Sequence, residues 1–215
     1  MRQEFLKRTI SSLILISIII FFITKGSLFL NLFILFCFIV SLYEWYMMKE
    51  NNIYYITGII FLILSFYSVF RLTNFETDYF YFIFILIICV STDIGGYIFG
   101  KIFKGKKLIK ISPNKTYSGM FGSFILSLLF SYLFLQLTNV FPYLKFNSIN
   151  TLIFILLISL ISQVGDIIIS YFKRKSKIKN TGNIIPGHGG LLDRIDGMIF
   201  AFPFGYLFLS LEILK

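Results

Sequence analysis

"NTLIFILLISLISQVGDIIISYFKRKSK", residues 150–177, holds an apolar run from 150 to 172, one carboxylate inside it at Asp166, and a burst of cations at its end. About 20 apolar residues rising roughly 1.5 Å each cross the hydrocarbon core of a bilayer, so the run predicts a transmembrane helix. Six more runs read the same way, near 9–24, 27–47, 52–70, 79–100, 119–140 and 195–214. The expected fold is all-α, a polytopic transmembrane helical bundle of about seven spans. Composition agrees: 57% of residues are hydrophobic and 14% charged, and the mean hydropathy of +0.85 lies outside the range of soluble domains. The opening "MRQEFLKR" and the apolar run behind it have the outline of a secretory leader. No small-residue cleavage site follows, so a retained helix is expected. Cys37 and Cys89 sit inside apolar runs without metal-binding or disulfide spacing, which excludes a disulfide scaffold and a zinc site as readings.

The net charge of +10 would suit nucleic acid or anionic lipid, and placement decides between them. Sixteen of the 20 Lys and Arg fall on one side of the predicted spans: Arg2, Lys7, Arg8, Lys49, six in the 101–118 loop and six between 173 and 194. Lys25, Arg71, Lys145 and Lys215 fall on the other. Positive loops stay in the cytoplasm, so the N-terminus and both basic loops are expected to face inward across the cell membrane. Topology and attraction to anionic lipid alone would also account for such loops. The domain expectation is three N-terminal spans over 1–78, then a catalytic membrane domain over 79–215 that carries the loops 101–118 and 173–194.

Six of the ten carboxylates, Glu44 among them, fall at predicted span ends or in loops. The other four are Asp93, Asp166, Asp193 and Asp196. Asp93 lies eight residues before Lys101 and Asp166 seven before Lys173, which puts both roughly 10–12 Å inside the cytoplasmic ends of their helices. Asp193 and Asp196 open the last span from the same side, so four acids are expected near one depth. A carboxylate at membrane depth points to function, because an apolar residue would cost less there. The plainer alternative is an ion pair with a Lys or Arg from a basic loop. Ser162, Asp166, Ser170 and Arg174 recur every four residues and form one polar stripe.

The densest stretch is "NIIPGHGGLLDRIDGM", residues 183–198. Asp193 and Asp196 are three apart, on one helix face, and can share a cation. Two hard oxygen donors beside basic loops suit Mg²⁺, which takes one or two carboxylates plus substrate phosphate oxygens. Asp193 could equally be a helix N-cap. Gly187, Gly189 and Gly190 free the backbone to approach an anion, and Pro186 stiffens the chain before them. His188, the single histidine, can donate to a phosphate or serve only the turn. In the other basic loop Ser112, Lys115 and Thr116 add donors, and Pro113 bends the chain.

These residues resemble a known family. Ser170–Asp196, "SYFKRKSKIKNTGNIIPGHGGLLDRID", is similar to the signature of phosphatidate cytidylyltransferases, through Ser170, Lys173, Arg174, Lys179, Gly182, Pro186, His188, Gly189, Gly190, Asp193, Arg194 and Asp196. Asn180 stands where the family has Asp, and Ile169 where it has Glu. "TDIGGYIFGK" and "SPNKTYSG" resemble two further family segments, with departures at Asn114, Tyr117 and Ser118. The resemblance covers residues 90–215.

The resemblance implies transfer of a cytidylyl group from CTP to phosphatidate, giving CDP-diacylglycerol and pyrophosphate in phospholipid biosynthesis. It implies Mg²⁺ on Asp166, Asp193 and Asp196, with a second cation such as K⁺ as an option. Lys173, Arg174, Lys179, His188 and Arg194 are then expected on phosphates. Ser112, Lys115, Thr116, Ser170, Gly189, Gly190 and Asp93 are expected around the substrates. Expected partners are CTP, phosphatidate and membrane lipid, with a homodimer as an option and no nucleic acid. Two other readings stay open: a CTP-dependent kinase of a polyprenol or similar lipid alcohol, and a non-enzymatic carrier. A carrier would place acids at several depths, preferably at the midplane.

Overall fold

The structure is a computed structural model that describes residues 2–48, 52–74, 79–109, 112, 115–138, 149–185 and 189–211. Its elements are α1 (Arg2–Lys25), α2 (Ser27–Met47), α3 (Asn52–Thr73), α4 (Phe80–Phe103), α5 (Tyr117–Thr138), α6 (Ile149–Lys175), α7 (Leu192–Ile195) and α8 (Met198–Ser210). The described residues form no strand, only isolated bridges. Five helices are long and apolar enough to cross a membrane, namely α2 to α6, with α3 counted from Tyr55. Large apolar side chains such as Leu32, Phe36, Ile60, Phe121 and Leu137 are exposed along them, as the lipid-facing side of a bundle requires.

The expected last span, 195–214, is described as far as Leu211. It holds the one-turn α7 and the 13-residue α8, which follow one another through Asp196 and Gly197 in helical backbone conformation. Pro203 inside α8 lacks the N–H that a continuous ladder needs.

The chain divides into two compact units. The first comprises residues 1–79 and 172–196, that is α1, α2, α3, the end of α6 and α7. Here α2 packs on both α1 and α3. The Trp45 indole N–H donates to the Tyr55 carbonyl at 3.2 Å. A Cβ at position 58 would overlap the Trp45 ring, so α3 carries glycine there. Phe172 meets Trp45 edge to face at 5.4 Å between ring centres.

The second unit comprises residues 80–171 and 197–215, that is α4, α5, most of α6, and α8. Helices in lipid gain little from apolar burial against each other and associate through small residues that let backbones approach. α4 and α5 do this: a Cβ on Gly119 would lie 2.7 Å from the Gly96 carbonyl oxygen, and one on Gly95 would overlap Gly122. Buried hydroxyls tie the layers, with Thr92 donating to Ser159 at 2.8 Å and Ser123 to the Thr92 carbonyl at 2.7 Å. Gly119→Val is expected to destabilise the protein by about 1–3 kcal/mol, the usual cost of overpacking, read as a lower melting temperature in detergent. Melting unchanged from wild type would mean that α4 and α5 do not meet at this face.

Candidate active site

In the first unit the chain leaves α6 at Lys175, and residues 176–185 and 189–191 lie between it and α7. The loop closes on itself where Ile185 and Gly189 exchange backbone hydrogen bonds, at 2.9 and 3.2 Å. Gly189 has φ +91°, a conformation that side chains disfavour, and a Cβ there would lie 2.6 Å from the Asp193 Oδ2. Pro186, Gly187 and His188 lie outside the described residues.

Asp193 organises this turn. Its Oδ2 accepts from the backbone N–H of Thr181 at 2.9 Å and of Gly190 at 3.0 Å, while its Oδ1 accepts from Lys173 Nζ at 2.9 Å. Asp196, which caps the C-terminus of α7 and is only 9% exposed, brings Oδ2 to 3.7 Å from the same ammonium. The spacing of three thus does bring both carboxylates to one positive charge, across a single helical turn. Asp193 is no ordinary N-cap, since it accepts from the residue three before it. The N–H groups of Gly189 and Gly190, expected to approach an anion, are taken by Ile185 and Asp193. The bare Cα of Gly189 also admits the Asp193 carboxylate.

Glu44 is the residue to which sequence reasoning gave no role. Expected at a span end, it lies in α2 one turn from the helix end and is 1% exposed. Its Oε2 accepts from the Thr181 hydroxyl and the Leu192 N–H, and its Oε1 from the Leu191 N–H, each at 2.8 Å. A buried carboxylate is tolerable when several donors meet it, and three do. A signal was available beforehand: Glu44 falls inside its own predicted span, 27–47, by the criterion that singled out Asp166.

The remaining positions of this unit differ in exposure. Lys173 is buried at the end of α6. Arg174 is exposed and donates to the Ile178 carbonyl at 3.2 Å, which closes the helix end. Lys179 and Arg194 are exposed.

The second unit has its own acid–base cluster. Lys115, from the loop before α5, pairs with Asp166 Oδ2 at 2.6 Å and reaches the Gln163 carbonyl at 3.4 Å. Ser170, one turn beyond Asp166, donates to its Oδ1 at 3.2 Å, so the polar stripe of α6 is an interacting set. Thr116 is the N-cap of α5, its Oγ1 accepting from the Gly119 N–H at 3.1 Å. Ser112 is half-buried, with its carbonyl accepting from the Lys115 N–H at 3.0 Å. Asp93 is exposed on α4.

Among the described residues no three His, Cys, Asp or Glu side chains form a cluster fit for a metal. Asp193 and Asp196 nonetheless suit a hard cation, because both turn toward one positive charge and Mg²⁺ needs only one or two carboxylates when phosphates supply the rest. The Lys173 ammonium stands where such a shared charge would be.

Residues 48–212 match the cytidylyltransferase family. A phosphatidate cytidylyltransferase of Rickettsia typhi is 35% identical over 213 residues, covering 94% of this chain and 90% of its own. That of Rickettsia prowazekii is 37% identical over 207 residues, with the same coverage of each chain. That of Bacillus subtilis is 38% identical over 133 residues, 61% of this chain and 48% of its own. The chain belongs to the cytidylyltransferase family.

Proposed function

We propose that this chain transfers the cytidylyl group of CTP to phosphatidate, forming CDP-diacylglycerol and releasing pyrophosphate. The observation that carries the reading is the Lys173, Asp193 and Asp196 constellation, held in a turn whose sequence is the family signature. A phosphate oxygen of phosphatidate attacks the α-phosphorus of CTP, and the bond from that phosphorus to the bridging oxygen of pyrophosphate breaks. The nucleophile is already ionised at neutral pH, so no strong base is needed. Rate acceleration comes from alignment and from neutralising the triphosphate.

Asp193 and Asp196 are the residues that would hold Mg²⁺, and the family resemblance adds Asp166. When bound, the cation supplies charge neutralisation at the triphosphate and its departing pyrophosphate. Exposed Lys179 and Arg194 meet phosphate groups, as does His188. Lys115 and Lys173, paired with carboxylates in the structure, can turn to phosphate once a cation takes over those acids. We further propose that α1 and α8 bring the spans to about seven. The Lys and Arg asymmetry supports a cytoplasmic N-terminus and a site facing the cytoplasm across the cell membrane.

The position of the transferred label tests the reaction. With CTP labelled at the α-phosphate, the purified chain is expected to place label in lipid, and chelation of divalent ions should abolish it. Lipid labelled from the γ-phosphate would replace the reading with a lipid-alcohol kinase. No labelled lipid from either position would end both.

A further inference from the structure

Glu44 lies more than a hundred residues before the signature, yet it holds the signature's backbone. A helix of one turn has little stability of its own, and its first N–H groups lack partners within it. At the entry to α7 the backbone N–H groups are met by two carboxylates: Asp193 takes that of Gly190, just before the helix, and Glu44 takes those of Leu191 and Leu192. Thr181 is held from both sides as well, its N–H by Asp193 and its hydroxyl by Glu44. The local glycines fit this purpose. A Cβ on Gly182 would lie 2.9 Å from Glu44 Oε1, and one on Gly190 would overlap Oε2. Both Glu44 oxygens are engaged by protein donors, and the residue is buried, so it is not available to substrate.

We propose that Glu44 is a positioning residue for cytidylyl transfer, which sets from α2 the place of the turn that carries Asp193 and Asp196. The proposal rests on the transferase reading. It also gives the N-terminal helices a part in the chemistry beyond anchoring, because α2 supplies the acceptor that the signature turn lacks.

Glu44→Gln keeps the shape and replaces one acceptor oxygen by a donor, so at least one of the three donors loses its partner. In the full chain in detergent, the amides of 190–192 are expected to exchange hydrogen about tenfold faster or more, with α4 and α5 unchanged. The Mg²⁺ concentration for half-maximal activity should rise about fivefold or more, as two displaced carboxylates hold a cation less well. A merely structural role would reduce the amount of active enzyme and leave that concentration unmoved. Thr181→Val removes one of the three hydrogen bonds and leaves the carboxylate in place. It should move both readouts the same way by less, and it carries the test if Glu44→Gln does not fold. Wild-type exchange at 190–192, or an unmoved Mg²⁺ half-point in a folded variant, overturns the proposal. A wild-type chain that makes no CDP-diacylglycerol sinks the transferase reading and the catalytic half of this one. The exchange measurement still decides whether Glu44 holds the turn.

Discussion

Asp193→Asn is expected to lower CDP-diacylglycerol formation by about 10³-fold or more while leaving a folded, membrane-inserted protein. The amide has the shape of the carboxylate, and its one oxygen can still accept from Thr181 and Gly190, so the turn has its main ties. The other side changes in kind. The Oδ1 that meets Lys173 at 2.9 Å becomes an NH₂ facing an ammonium, donor against donor. The three charges of Lys173, Asp193 and Asp196 then sum to zero instead of minus one, and the attraction for a cation falls with them. Activity is measured as α-label entering lipid per mole of monodisperse protein. Turnover within about tenfold of wild type would remove Asp193 from the chemistry and leave it a turn-forming residue.

The helices were legible in the sequence because each apolar run carries its own evidence of length, and the five long helices fall on runs read that way. The last run is described only as far as Leu211, as α7 and α8 joined through Asp196 and Gly197 in helical backbone conformation. Gly197 sits against Ser162, where a Cβ would overlap the Ser162 hydroxyl, and Pro203 follows within α8. At the site, the pairing of Asp193 with Asp196 was legible because three residues make nearly one turn, and so was the stripe joining Asp166 to Ser170. Both acid clusters proved to contain the ion pair that was the plainer explanation of a carboxylate at membrane depth. Asp166 has Lys115 from a basic loop, and Asp193 has Lys173. That pairing and a functional role are compatible, since an acid awaiting a cation must be compensated meanwhile. Glu44 was not legible because its partners lie 137 to 148 residues away, and no periodicity reports on contacts at that range.

Lys173→Met is the variant that separates holding the turn from handling substrate. Methionine reproduces the apolar stem of lysine but leaves Asp193 and Asp196 without their shared positive partner. Their side chains are only 7% and 12% exposed, so water compensates little. Removing one partner of a buried ion pair costs about 3–5 kcal/mol, and for a chain of this length that lowers the melting temperature by roughly 10 °C. In an Asp193→Asn background the same substitution should cost less, because one of the stranded charges is gone, and the difference measures the coupling. Added Mg²⁺ should raise the melting temperature of Lys173→Met more than that of wild type, since the two carboxylates then lack their resident cation and bind another more tightly. A Lys173→Met protein that melts with the wild type and ignores Mg²⁺, yet has lost turnover, would assign Lys173 to the substrate phosphates alone. It would also mean that the turn carrying Asp193 and Asp196 stands without it.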